Sequence, residues 1–329
     1  MADDLDRWAA RRAPDLIARA EAEAVAQLRD ALVEAALAEH RRRAEFAPTP
    51  PAAPKPETPG GATALWAYGV LPADASLPTK VPGVDPAHAV EAVRAGDLAV
   101  LVSRVPLDEF GADPLRSNLN DLEWLERVAR AHESVLEQAL DRTTFVPLRL
   151  CTIYESEDSV RAMLDRERKA FSDALRHLAG RQEWAVKLLV DDDKLRAAAR
   201  TLSDEVARLE GEADEHTEGG AYMLRRRIDR HVRERAATLA TDTAEEVHAR
   251  LQAIAIDAVT RPPQNPELSG HEGEMLLNGA YLVESDRVTG LRDLVAELER
   301  DYAAFGARLE LSGPWPPYNF VPGGTGTAP

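Results

Sequence analysis

The feature that most restricts this chain is a run of six prolines within fifteen residues, APTPPAAPKPETPGG, from Ala47 to Gly61. Proline lacks a backbone N–H and fixes φ, so this stretch cannot continue a helix or sit inside a sheet. It also offers no large apolar side chain to a core. It reads as a semi-rigid spacer, residues 47–63, that separates an arm (residues 1–46) from a folded body beginning at residue 64.

The arm is expected to be helical. Leu5, Trp8, Ala9, Leu16, Ile17, Ala20, Val25, Leu28, Leu32, Val33 and Leu37 recur mostly three or four residues apart, with Glu and Arg between them. Pro14 divides it into a short first helix and a longer second one. Tethered outside the body, its apolar side needs a partner, so self-association through the arm or capture of another protein is expected.

The body reads as α+β with two domains. In the first, residues 64–155, LWAYGVL from Leu65 is a strand ending at Pro72, and residues 89–106 form two strands around a turn at Ala95-Gly96-Asp97. The stretch from Ala73 to Ala87 is too rich in proline for a good helix. Asn120, with Glu123 three positions on, predicts a helix start. Leu122, Leu125, Val128, Ala129, Val135, Leu136 and Leu140 then share one side of that helix. TFVPLRLCTIY follows as a strand, with Pro147 marking an edge or a bulge. A linking helix runs from Ser156 to Leu178 and stops at Gly180, within a linking segment 156–180.

Residues 181–322 give strand (EWAVKLLVD), long helical segments (about 192–251), strand (QAIAIDAV), strand (MLLNGAYLVE), helix (about 288–304) and strand (RLELSGPW). That order predicts a ferredoxin-like second domain with a long helical insertion. Residues 323–329 form a flexible tail.

Charge narrows the range of functions. Of 329 residues, 57 are acidic and 40 basic, giving a net charge of −17, which repels nucleic acid and anionic membrane surfaces. Cys151 is the only cysteine, so an intrachain disulfide or thiolate metal cage is impossible. No signal-like start and no spanning apolar run is present, so a cytoplasmic protein is expected.

Motifs for chemistry are scarce. His132-Glu133 lacks the second histidine of a zinc helix, and His271-Glu272-Gly273-Glu274 lacks a second ligand as well. Asp191-Asp192-Asp193 sits where a helix should begin, so capping is the better account. Gly219-Gly220 lacks the spacing of a phosphate loop, and Cys151, within a predicted strand, is read as a buried small hydrophobe. The expectation is a non-enzyme with no cofactor and no metal.

Two features ask for more than packing. An acidic stretch, residues 204–218, turns at Gly219-Gly220 into Arg225, Arg226, Arg227, Arg230, Arg233 and Arg235. This reads either as a solvated hairpin with weak surface pairs or as an arginine face for an acidic partner. The ending LELSGPWPPYNFVP gathers Trp315, Tyr318 and Phe320 within six residues. Those rings either cover the sheet or form an aromatic recognition edge.

WAYGVLPADA, GDLAVLVSRVPLDEF, VARAHESVLEQAL, FVPLRLCTIY, EWAVKLLVD, GGAYMLRRR, MLLNGAYLVE and above all LELSGPWPPYNFV, in order from about Leu65 to Val321, resemble the gas vesicle protein family GvpL/GvpF. The resemblance implies a non-catalytic accessory protein for building gas vesicles, with the hydrophobic shell protein and other accessory proteins as partners. It also implies a two-domain α+β fold with a ferredoxin-like second domain. On this reading Arg225, Arg226, Arg227, Arg230, Trp315, Tyr318 and Phe320 are the candidate contacts. The rival expectation is a ferredoxin-like regulatory module that binds a small molecule between its domains.

Overall fold

The computed structural model describes residues 61–76, 80–214, 218–262 and 273–321. The arm, the linker as far as Gly60, His271-Glu272 and the tail lie outside the described residues.

The first sheet is built on β1 (Thr63–Pro72). Alternation sends Ala64, Trp66 and Tyr68 to one face and Leu65 and Ala67 to the other. The register against β3 (Leu98–Pro106) slips between Ala67 and Gly69, and this bulge moves the alternation on by one place. Val70 therefore joins Leu65, and Leu71 joins Trp66. Gly69 is needed there: a Cβ would stand 3.0 Å from both the Phe145 ring and the Val146 carbonyl oxygen. β2 (Glu91–Ala95) pairs with β3 through the expected tight turn, with Gly96 at φ +62°.

Three helices follow: α1 (Leu107–Phe110), α2 (Ala112–Asn118) and α3 (Leu122–Leu140). The cap of α3 is Asp121 rather than Asn120. Its side chain accepts the N–H groups of Glu123 and Trp124, while Asn120 bonds back to the Arg116 carbonyl. The predicted strand 144–154 is broken into β4 (Val146–Pro147) and β5 (Ile153–Tyr154), both pairing with β1. Pro147 does fall at an edge, since the order is β2-β3-β1-β4. Cys151 lies in the turn between the pieces, half-buried with φ +64°, so its reading as a buried strand residue is corrected.

α4 (Glu157–Leu178) starts at the Ser156 cap and ends before Gly180, whose φ is +69°. It packs between two sheets. Its Val160, Met163, Leu164, Ala174, Leu175 and Leu178 share a core with Leu65, Val70, Val100 and Val102 on one side and Ala280 and Leu282 on the other.

The second sheet has the order β7-β8-β6-β9, all antiparallel, from β6 (Arg181–Val190), β7 (Asp257–Arg261), β8 (Glu274–Glu284) and β9 (Arg308–Trp315). Between β6 and β7 come α5 (Asp192–Thr201), capped by Asp191, then α6 (Asp204–Asp214) and the 35-residue α7 (Glu218–Gln252). Gly219 and Gly220 lie inside α7, so the predicted turn at that pair is corrected. The predicted strand 252–259 begins late. Ala253, Ile254 and Ala255 still make helix-type bonds, and Ile256 N–H is the first to reach the sheet, at Leu282 O. α8 (Val288–Asp301) precedes β9. α5–α8 cover one face of this sheet around Trp184, Leu188, Tyr281 and Leu291.

Candidate protein-binding surfaces

Past β9, Pro316 to Val321 fold back as a strap across the junction of the two sheets. Gly313, at φ +142°, lets the strand pass close over β6: a Cβ would meet the Trp184 ring at 2.9 Å and the Glu183 carbonyl at 3.0 Å. Trp315 is half-buried, and its indole N–H donates to Ser312 Oγ at 3.1 Å. Tyr318 is half-buried too, and its hydroxyl reaches the first half of the molecule, 3.3 Å from Glu133 Oε1 and 3.3 Å from His132 Nε2. Asn319 binds the second half: its backbone N–H donates to Glu183 Oε2 at 3.1 Å and its side-chain N–H to Oε1, while Arg261 donates to its side-chain oxygen Oδ1. Phe320 is buried in the core around α4. A ring already desolvated there has no face left for a partner, so Phe320 is a packing residue and its nomination as a contact is corrected.

The strap closes a buried polar chain. Trp66 Nε1–H donates to His132 Nδ1 at 3.0 Å, which leaves the histidine proton on Nε2, facing Tyr318. His132 stacks on Tyr68 with centroids 5.3 Å apart. Burial pushes its pKa down to about 3, so the ring is neutral near pH 7. Burial first, then the Glu133 charge and hydrogen bond, hold the Tyr318 hydroxyl well above the usual phenol range. Burial pushes the Glu183 carboxyl up to about 7, against the hydrogen bonds from Asn319 and the charge of Arg261. Sequence reasoning left Glu183 out because nothing in EWAVKLLVD shows that a distant asparagine lands on it.

The arginine face lies elsewhere. Arg225, Arg226, Arg227 and Arg230 are all exposed on α7. Arg227 stands 3.5 Å from Glu205 of α6, and Arg226 lies over the Tyr222 ring at 6.0 Å. Tyr222 and Met223 are 57% and 67% exposed, and Leu202, where α5 runs into α6, is 56% exposed. Arginines, an aromatic ring and a flexible thioether thus share one solvent-facing tip. The nominated residues form two separate groups, since the strap belongs to the junction of the sheets and the tip to the helical insertion.

A further apolar corner escaped sequence reasoning. Leu107, Leu119 and Leu122 are 39%, 36% and 62% exposed where α1, α2 and α3 meet. Glu109 ties these helices together: its carboxylate accepts from Trp124 Nε1 and Arg127 Nη2, both at 2.7 Å, and its carbonyl from the Asn118 amide. Leu122 was expected on the buried side of α3. At 100° per residue it falls at the rim of that stripe, about 80° from its centre, which explains its exposure.

At the junction, Asp141, Thr143, Thr144, Arg181, Gln182 and Ser285 line part of an open groove of about 320 Å³. Among the described residues no buried side-chain nitrogen or oxygen lacks a partner, and no cluster of three or more His, Cys, Asp or Glu could hold a metal. No helix among them is long and apolar enough to cross a membrane.

Two antiparallel sheets of like order, a helix packed between them and a strap over the junction define a mixed helix-and-sheet body whose distinctive surfaces are exposed helical corners. The chain belongs to the gas vesicle synthesis protein GvpL/GvpF family, which matches residues 64–322. Gas vesicle protein L of Streptomyces sp. (strain CB03234) is 34% identical over 257 residues, spanning 78% of this chain and 92% of that protein. Gas vesicle protein F of the same strain is 32% identical over 78% of this chain and 98% of its own length. The crystal structure of GvpF from Anabaena sp. PCC7120 shares the fold, with a TM-score of 0.55 and 20% identity over 78% of this chain and 95% of that one.

Proposed function

We propose that this chain supports gas vesicle assembly by binding the hydrophobic shell protein, along with other vesicle accessory proteins, in the cytoplasm and at the growing vesicle. The observation that carries the reading is the exposed tip of α7, where Tyr222 and Met223 stand beside Arg225, Arg226 and Arg230. A subunit that self-associates in water needs a soluble carrier. A net charge of −17 keeps such a carrier dispersed, while a small apolar and cationic tip gives the cargo one place to land. Half-buried Trp315 is the remaining aromatic contact on this reading. The second sheet, with its order β7-β8-β6-β9, supports the ferredoxin-like reading of the second domain. The chain acts here without catalysis: His132 is enclosed by Trp66, Tyr68 and Tyr318 and serves the packing of the junction.

Co-expression tests this. Shell protein should be recovered in the soluble fraction with the unaltered chain and lost with Arg225→Glu/Arg226→Glu/Arg230→Glu. Equal recovery with the folded variant would overturn the tip as the contact. The groove at the junction favours a second reading, a small-molecule regulatory module. Arg181, Gln182 and Ser285 of its lining already hydrogen-bond within the chain, so binding there should be weak; a clear ligand-induced rise in Tm would favour this second reading instead.

A further inference from the structure

We propose that the basic end of the N-terminal arm, Leu37–Phe46, docks on the leucine corner of its own body. The corner exposes Leu107, Leu119 and Leu122, with Leu122 the most open of the three. Around them, residues 107–130 carry six carboxylates (Asp108, Glu109, Asp113, Asp121, Glu123 and Glu126) against three arginines. Arg116, Arg127 and Arg130 pair with Asp113, Glu109 and Glu126, which leaves Asp108, Asp121 and Glu123 as the uncompensated negative charges. An apolar surface rimmed with negative charge calls for an apolar segment that brings cations.

The anchor of the linker points to the occupant. The Leu107 N–H donates to the carbonyl of Ala62 at 3.0 Å, and Ala62 is the first residue after the Pro-rich run. Whatever path the linker takes, it leaves the body at this corner. Fifteen residues of polyproline-like chain reach about 45 Å at most. The Gly60-Gly61 pair at its body end gives the freedom to turn back. The part of the arm nearest the linker, LAEHRRRAEF, combines Leu37 and Phe46 with Arg41, Arg42 and Arg43. Tethering raises its local concentration to the millimolar range, so weak contacts suffice to hold it. The family match begins at residue 64, so this contact would be an addition to the shared fold.

Hydrogen–deuterium exchange on the full chain tests the proposal. Backbone amides in 107–126 should exchange at least tenfold faster in Arg41→Glu/Arg42→Glu/Arg43→Glu than in the unaltered chain, and likewise in Leu122→Asp, with far-UV circular dichroism unchanged. Equal exchange in all three would overturn it. Mild oxidation of Leu37→Cys/Leu122→Cys should give a cross-linked monomer, with Leu37→Cys alone as the control for Cys151. A disulfide-linked dimer would show a second copy as the occupant, and absence of any link would deny the contact; either result overturns the proposal. Shell-protein recovery is read separately on the α7 tip variants, which leave this corner intact.

Discussion

The two sheets share one order, with the first strand in the interior beside the third and the fourth, yet they are finished differently. In the first, β1 is buried on both faces, and its link to β2 contains no regular helix among the described residues. In the second, the equivalent link has grown into α5, α6 and the 35-residue α7, whose far end stands in solvent with its arginines. One scaffold order therefore serves two ends. The first half supplies rigidity through a closed core and a histidine locked among rings, while the second supplies reach. The strap joins them, taking Tyr318 to one half and Asn319 to the other.

If the first half is chiefly a frame, removing its largest core ring should cost the most. Trp66→Ala deletes a fully buried indole and the donor to His132, and should lower stability by about 3–5 kcal/mol in urea unfolding. Shell binding per folded molecule should be unaltered; a selective loss of binding would break the division of labour.

Glu183 sharpens the view of the junction. Its folded-state value of about 7 lies above the ordinary 4.5, so folding takes up a proton between those pH values. Its stabilising contribution is full below about pH 4.5 and fades as pH rises through 7, a change of about 3 kcal/mol. Compared with Glu183→Gln across pH 4.5–8, the unaltered chain should lose stability as pH rises; parallel curves would deny the burial of charge. His132 acts in the opposite sense, since its depressed value of about 3 makes stability fall as pH drops below 6.5, which is why the difference between the two chains is the useful quantity.

A smaller effect is expected at the strap. Tyr318→Phe removes one hydroxyl from the chain linking His132 and Glu133 and should cost about 1–2 kcal/mol in Tm-derived stability. The smallest belongs to the tip: Arg226→Ser should change stability by no more than about 0.5 kcal/mol while weakening shell binding.

Most of the frame was legible in the sequence because it rests on local signals. The turn at Gly96, the stop at Gly180 and the strand Arg308–Trp315 come from glycine conformations and alternation that neighbouring residues declare. What failed was decided at a distance or by one residue. Asp121 displaced Asn120 as the cap because either side chain could reach the helix start. The strand around Pro147 broke at Cys151, where a positive φ has no sequence signature. At the candidate contacts, exposure of the α7 arginines followed from their density. The burial of Phe320 and the landing of Asn319 on Glu183 depend on contacts spanning more than a hundred residues, which no local pattern encodes.

The central claim is that the α7 tip carries the assembly function while the two-sheet body holds it in place. In cells lacking this chain but still making shell protein, vesicle yield by electron microscopy should be restored by the unaltered chain and by Tyr318→Phe. It should stay absent with Arg225→Glu/Arg226→Glu/Arg230→Glu, with the folded variant present at normal abundance. Normal vesicles in the cells carrying that triple variant would contradict the account.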